Sequence, residues 1–245
     1  EDLKSFFKGV ERVSGNEEYI KENPVENIVK CEKGIQGNLC RIRNHILKTE
    51  FANGADAVII VDDDMQGLYL WEGKENHSME KVKIPTDELL VFFAKYSQMC
   101  EDLGFKFWGG NCNQDAMSYR PYTPFGFSKY IGGPLQCFIK GNECFYDEAL
   151  PLKEDYDMTL QQCNKYRGCL RFNFLTYNVK QSEQKGGCAS YRTLMREKEQ
   201  FELLQKKWGS EIVREDKSNK GHSKNACFII FISKKHLRHL NTCIL

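Results

Sequence analysis

Three consecutive carboxylates, Asp62, Asp63 and Asp64, follow the apolar run from Ala57 to Val61. A short apolar run rich in β-branched residues reads as a buried strand. Carboxylates crowded at its end repel one another and resist burial unless a positive group compensates them. A hard divalent cation suits an all-oxygen cluster. Mg²⁺ or Mn²⁺ needs only one or two protein carboxylates when phosphates supply the other ligands. Asp62 and Asp64 give the alternating spacing of a DxD pattern and are the expected metal ligands, with Asp62 also facing a diphosphate. An exposed acidic turn is the plainer alternative, and the strand ahead of the cluster argues against it.

A second acidic group, Glu154, Asp155 and Asp157, opens a helical pattern that runs to Tyr166. The helix dipole stabilises carboxylates there, so capping accounts for one or two of them. Asp155 is the first choice for a general base facing an acceptor hydroxyl. Glu154 could bind that hydroxyl, and Asp157 could serve as the cap. A polar loop from Gln181 to Arg192 holds Gly186 and Gly187, whose backbone could approach phosphate closely, with Lys185 and Arg192 adding charge. A flexible hinge explains the glycines equally well, and Walker spacing is absent. Gly132 and Gly133 could likewise bring main chain near a sugar. Arg43 and Asn44 sit on a helix where they could face the acidic cluster; alone, they read as a solvated face. Cys188 has no His in a partner motif and reads as a packed thiol.

These residues need elements to hold them. Glu26 to Cys31 reads as a strand. A turn between Gly34 and Gly37 follows, then a helix with Leu39, Ile42, Ile46 and Leu47 on one face, ended by Asn53-Gly54. With the acidic strand this makes the strand–helix–strand order of a parallel crossover. Glu17 to Glu22 reads as a small helix. Thr86 is placed to cap a helix whose stripe runs from Leu89 to Leu103, with Gly104 at its end. Strands are expected at Phe105 to Trp108, Leu135 to Lys140, Phe145-Tyr146 and Leu170 to Val179. Helices are expected at Asp157 to Tyr166, stopped by Gly168, and at Thr193 to Trp208. The irregular, aromatic stretch from Gly109 to Tyr130 is long enough for a site-forming loop.

The 245 residues suit one domain with an extension, and 41% hydrophobic content supports a packed core. The domain is expected over residues 1–216, with a basic, atypical tail at 217–245. Net charge is +1, yet Lys180 to Leu245 carries 14 Lys/Arg against 7 Asp/Glu, a basic third that could face phosphates. The 11 cysteines lack CxxC pairs and framework spacing, which points to reduced thiols and an intracellular setting. No apolar run reaches membrane-spanning length, and Ala226 to Ile232 has the length of a strand. A chain without an initiator Met reads as a fragment or a processed form.

In order, the Gly37 turn with Arg43-Asn44, the DxD strand, the Gly132-Gly133 pair and Glu154-Asp155 at a helix start resemble a GT-A glycosyltransferase. The runs KEDYDMTLQQ from Lys153, YNVKQSEQKGGCASYR from Tyr177 and LLQKKWG from Leu203 are similar to the TET-associated glycosyltransferase family. That family occurs in phages and as the C-terminal domain of GREB1-type proteins. The resemblance spans about Val25 to Asp216. It implies an α/β fold with a GT-A-like, Rossmann-like mixed sheet flanked by helices, here expected to lack the first N-terminal strand. It implies a divalent metal and a nucleotide-sugar donor, of which a UDP-sugar is the expected kind. For phage members it implies hydroxymethylated pyrimidines in DNA as acceptors; a protein acceptor is the other expectation. Nuclear location would follow for a GREB1-type protein and host cytoplasm for a viral one. By resemblance, Asp62 and Asp64 take the metal-diphosphate and Asp155 is the base. Arg43, Asn44, Gly132, Gly133, Lys185, Gly186, Gly187 and Arg192 are the further donor-side candidates, and Glu154 joins Asp155 on the acceptor side. A non-catalytic binding domain of a larger regulatory protein is the competing expectation.

Overall fold

The computed structural model of the chain describes residues 12–14, 28–32, 34–35, 37–62, 64–74, 78–179, 192–215 and 230–232. In chain order the elements are β1 (Arg12–Ser14), β2 (Ile28–Lys30), α1 (Leu39–Ala52), β3 (Ala57–Val61), β4 (Met65–Gly73) and β5 (Met79–Lys83). There follow α2 (Leu89–Asp102), β6 (Phe107–Asn111), β7 (Phe125–Gly126), β8 (Leu135–Ile139), α3 (Glu154–Tyr166), β9 (Leu170–Val179), α4 (Leu194–Trp208), β10 (Val213–Glu215) and β11 (Ile230–Ile232). The main sheet is mixed and open, with order β3-β8-β6-β9-β4-β5 and β7 paired to β9. Only β6 and β9 run parallel in it.

Alternation along the strands decides which helix covers which face. On β8, Leu135, Cys137 and Ile139 pack with Phe93 and Cys100 of α2. Phe138 points to the other face and joins Cys40 and Leu47 of α1 and Met158 of α3. Trp108 and Phe107 divide between the faces in the same way. Helices therefore flank a buried sheet on both sides. Helix α4 forms a further cluster with α3, through Leu160, Phe201 and Leu204.

The sheet cannot be flat between β3 and β4, and chain length shows why. Val61 and Met65 are joined by four peptide units, at most ~14 Å of chain. Strands β8, β6 and β9 lie between β3 and β4, which in a flat sheet would separate them by ~19 Å. Strand β9 resolves the conflict by serving two sets of neighbours. Its first residues pair with β6 and β7, and its later ones, Leu175 to Val179, pair with β4. The register with β6 jumps between Gly110 and Asn111, from Phe172 to Thr176, an irregularity of the kind that redirects a strand. Asp62 and Asp64 thus lie where the chain passes from the main sheet to its bent extension.

Several expectations change. Strands β1 and β2 pair with each other, in parallel, as a separate two-stranded sheet, so among the described residues no strand before β3 joins the main sheet. Among the described residues β3 pairs only with β8, antiparallel, and not with β2. The strand–helix–strand order is present without the crossover pairing. Phe145-Tyr146 is not a strand, because Asn44 takes its backbone: Asn44 Nδ2 donates to Tyr146 O at 2.8 Å, and Tyr146 N donates to Asn44 Oδ1 at 2.7 Å. The β4–β5 hairpin was not anticipated. The left-handed residue ending α3 is Arg167, at φ 65°, rather than Gly168. Gly168 is needed for space: a Cβ there would lie 2.5 Å from the Phe105 ring and 2.6 Å from Phe127 O. Thr86 begins a 3-10 turn that leads into α2, and the residues that cap the turn and the helix are Pro85 and Glu88. Strand β11 pairs antiparallel with β10. Glu17 to Glu22 lies outside the described residues.

Candidate functional site

Arg43 is the centre of the site. Asn38 caps α1 by accepting from Cys40 N at 2.9 Å and Arg41 N at 3.3 Å. That start sets which residues turn inward: Cys40, Arg43 and Leu47 are buried, while Arg41 is turned outward to Glu148. Arg43, 2% exposed, would be costly to bury alone. Its Nη2 donates to Asp62 Oδ1 at 2.7 Å and to Gly133 O at 3.2 Å, and its Nη1 to Glu154 Oε1 at 3.3 Å. The planar fork reaches three segments at once, which a lysine ammonium would not do in fixed geometry. Asp62 N also donates to Pro134 O at 3.1 Å, tying the acidic crossing to the Gly132-Gly133 segment.

One guanidinium faces two carboxylates, and the distances show which is better served. Asp62 is nearer and its side chain is 34% exposed; Glu154 is farther and buried. Burial, reinforced by Asp155 and only partly opposed by Arg43, pushes the Glu154 carboxyl up to about 8. Arg43 is held firmly charged, its pKa raised by Asp62, Tyr146 and Glu154 against the cost of burial.

Asp155 lies next door in a different setting. Tyr130 donates its hydroxyl to Asp155 Oδ2, and Tyr156 N donates to Oδ1 at 2.8 Å. The rings of Tyr130 and Tyr156 stack, centroids 4.2 Å apart at 18°. Gly132 stands between the two carboxylate systems. A Cβ on it would lie 2.6 Å from the Tyr177 hydroxyl and 3.4 Å from Cys112 Cβ, so only glycine fits. Tyr177, 3% exposed, has a buried hydroxyl with no hydrogen-bond partner among the described residues.

The remaining candidates divide. Asp157 is not the cap: it accepts from Trp208 Nε1 at 2.7 Å and from Gln161 Nε2 at 2.7 Å, with Lys207 Nζ at 3.0 Å. It ties α3 to α4. Asn44 commits its amide to Tyr146, as above. Arg192 pairs with Glu197 at 3.0 Å, and Glu197 also takes Lys153 Nζ at 2.5 Å, beside Glu154 rather than at Arg43. Lys185, Gly186 and Gly187 lie outside the described residues, as does Asp63. Asp64 is half-buried in the crossing. Among the described residues no three His, Cys, Asp or Glu side chains converge as a metal group. The donor set at the crossing still fits a hard cation, since Asp62 and Asp64 supply carboxylate oxygens and Asp62 is partly open to solvent. Sequence reasoning missed Tyr130 and Tyr177 as individual site residues. The signal was there: one aromatic precedes Gly132-Gly133 by two residues, and the other opens the run from Tyr177 to Arg192.

Comparison of the chain with protein-family models, curated proteins and solved structures gives no match. No helix of the described residues is long and apolar enough to cross a membrane.

Proposed function

We propose that residues 1–216 form a GT-A-like domain that transfers a sugar from a nucleotide-sugar, a UDP-sugar by preference, to a hydroxyl acceptor. The observation that carries this reading is the Arg43 hub. Asp62, Gly133 and Glu154, from three separate segments, meet on one buried guanidinium at the carboxyl end of β3. That end of an open α/β sheet is where such folds bind ligands. Asp62 and Asp64 would hold Mg²⁺ or Mn²⁺, which when bound supplies charge stabilisation to a leaving diphosphate.

Asp155 takes the proton of the acceptor hydroxyl. The oxygen forms its bond to the anomeric carbon as the bond from that carbon to the diphosphate oxygen breaks. The electron pair leaves with the nucleoside diphosphate, and configuration inverts. Glu154, largely protonated near neutrality, offers a hydrogen bond beside that base. The acceptor class is a hydroxymethylated pyrimidine in DNA, or a protein hydroxyl.

The test is transfer and donor hydrolysis across a panel of UDP-sugars with Mn²⁺ and hydroxymethylated DNA, with Asp62→Ala and Asp155→Ala alongside. Transfer that is lost in both variants and abolished by chelation supports the reading. Retained configuration, or activity surviving in Asp155→Ala, removes Asp155 as the base. One observation favours a second reading, a domain that binds without catalysis: Arg43 already neutralises Asp62 from within. Donor binding that persists with chelator and without turnover would select it.

A further inference from the structure

We infer that Tyr130 is the positioning residue for Asp155: its hydroxyl, its stacked ring and its anchored main chain together fix one orientation of that carboxylate. The inference deepens the glycosyltransferase reading and rests on it for the identity of Asp155 as base.

Each part of Tyr130 is fixed separately. Its hydroxyl donates to Asp155 Oδ2. Its ring lies on Tyr156, centroids 4.2 Å apart and nearly coplanar at 18°. Its carbonyl accepts from Arg171 Nη1 at 3.3 Å. The next residue, Ile131, is fully buried, and its N–H donates to Thr159 Oγ1 at 3.3 Å. Thr159 in turn donates to the Asp155 carbonyl at 2.9 Å. The strip 130–133 is therefore attached to the first turns of α3 at the residue that bears the carboxylate, and to Arg43 through Gly133 O.

A loop anchor alone would need only the main-chain bonds. The hydroxyl does something further. With Tyr156 N on Oδ1 and Tyr130 on Oδ2, both oxygens have a donor, which fixes the torsion of the carboxylate. Burial and the Asp155 charge push the Tyr130 phenol well above its usual range, so Tyr130 remains the donor throughout ordinary pH.

The experiment pairs two variants. Tyr130→Phe keeps the stacked ring and removes only the donor. Thr159→Val releases the Ile131 N–H and leaves the carboxylate bonds in place. Transfer kinetics and crystal structures of the two variants are compared with the unaltered protein. In Tyr130→Phe the Asp155 carboxylate is expected to lose its single orientation, and kcat should fall about tenfold with donor KM unchanged. Thr159→Val should keep both that orientation and kcat. An unmoved Asp155 carboxylate in Tyr130→Phe, or equal movement in both variants, overturns the inference. Absence of transfer by the unaltered protein overturns the glycosyltransferase reading instead, and the crystal structures distinguish the two failures.

Discussion

Glu154 and Asp157 occupy the same helical turn and are both buried, yet their surroundings differ in a way that separates chemistry from architecture. Asp157 is saturated: an indole, an amide and a lysine all donate to it. Glu154 shares one guanidinium, at 3.3 Å, with a nearer competitor. Burial alone therefore does not mark a working carboxylate. What distinguishes the two is the number of donors per charge. The under-served group has its pKa pushed up to about 8, and the saturated one ties two helices together.

The largest effect should follow from breaking the saturated side. Asp157→Leu takes the acceptor from Trp208 Nε1 and from Gln161 Nε2 and one of two carboxylates from Lys207, which keeps Asp147 at 2.7 Å; with each orphaned donor costing about 1–3 kcal/mol, the loss should be about 3 kcal/mol. Urea denaturation measures it; a loss under about 1 kcal/mol would erase the contrast drawn above. Binding of a UDP-sugar by the protein that remains folded should be unchanged. Arg43→Met is expected to cost less, about 2 kcal/mol near pH 6, because Glu154 can keep its proton and Asp62 can turn to water. Donor affinity should fall with it, which calorimetric titration reads, whereas Asp157→Leu should spare that affinity.

The pH dependence sharpens the same contrast. The Glu154 pKa is raised in the folded chain, from 4.5 to about 8, so the folded state holds the extra proton. Its contribution is full below about 4.5, declines as pH rises, and is gone once pH passes about 8. Denaturant midpoints from pH 5 to 9 should therefore fall in the unaltered protein and flatten in Glu154→Gln. Parallel slopes in the two proteins would show that Arg43 satisfies Glu154 fully. The smallest effects concern the junction between the two carboxylate systems. Gly132→Ala forces a methyl against the Tyr177 hydroxyl, an overpacking cost of about 1–3 kcal/mol. Tyr177→Phe removes a buried hydroxyl without a partner and should be neutral or slightly stabilising. A Tyr177→Phe loss of more than about 1 kcal/mol would mean that this hydroxyl is bonded in solution.

Local pattern made most of the elements legible. The 3.6-residue stripe of α2 and the alternation of β9 are set by each residue's neighbours in the chain, and the sequence displays both. Asn38 as a cap and the β4–β5 hairpin were equally local and went unread. The boundary of α3 moved by three residues, because Glu154 and Asp155 belong to its first turn. The residue types at the site were legible too, since three carboxylates at a strand end or at a helix start demand partners on electrostatic grounds alone.

Partnership itself was not legible. Arg43 and Asn44 are adjacent and looked equivalent, yet one entered the acidic site and the other clamped the backbone of Tyr146, because successive helical residues point about 100° apart. Glu154, Asp155 and Asp157 looked like one cluster and became three environments for the same reason. Tyr130 and Tyr177 acquired their meaning only from groups brought beside them across the fold, Tyr130 from Asp155 and Tyr177 from Gly132. The sequence by itself determined which charges had to be answered. The bent sheet and the packing of α1 and α3 decided which group answers each, since that depends on distances across segments that local periodicity does not encode.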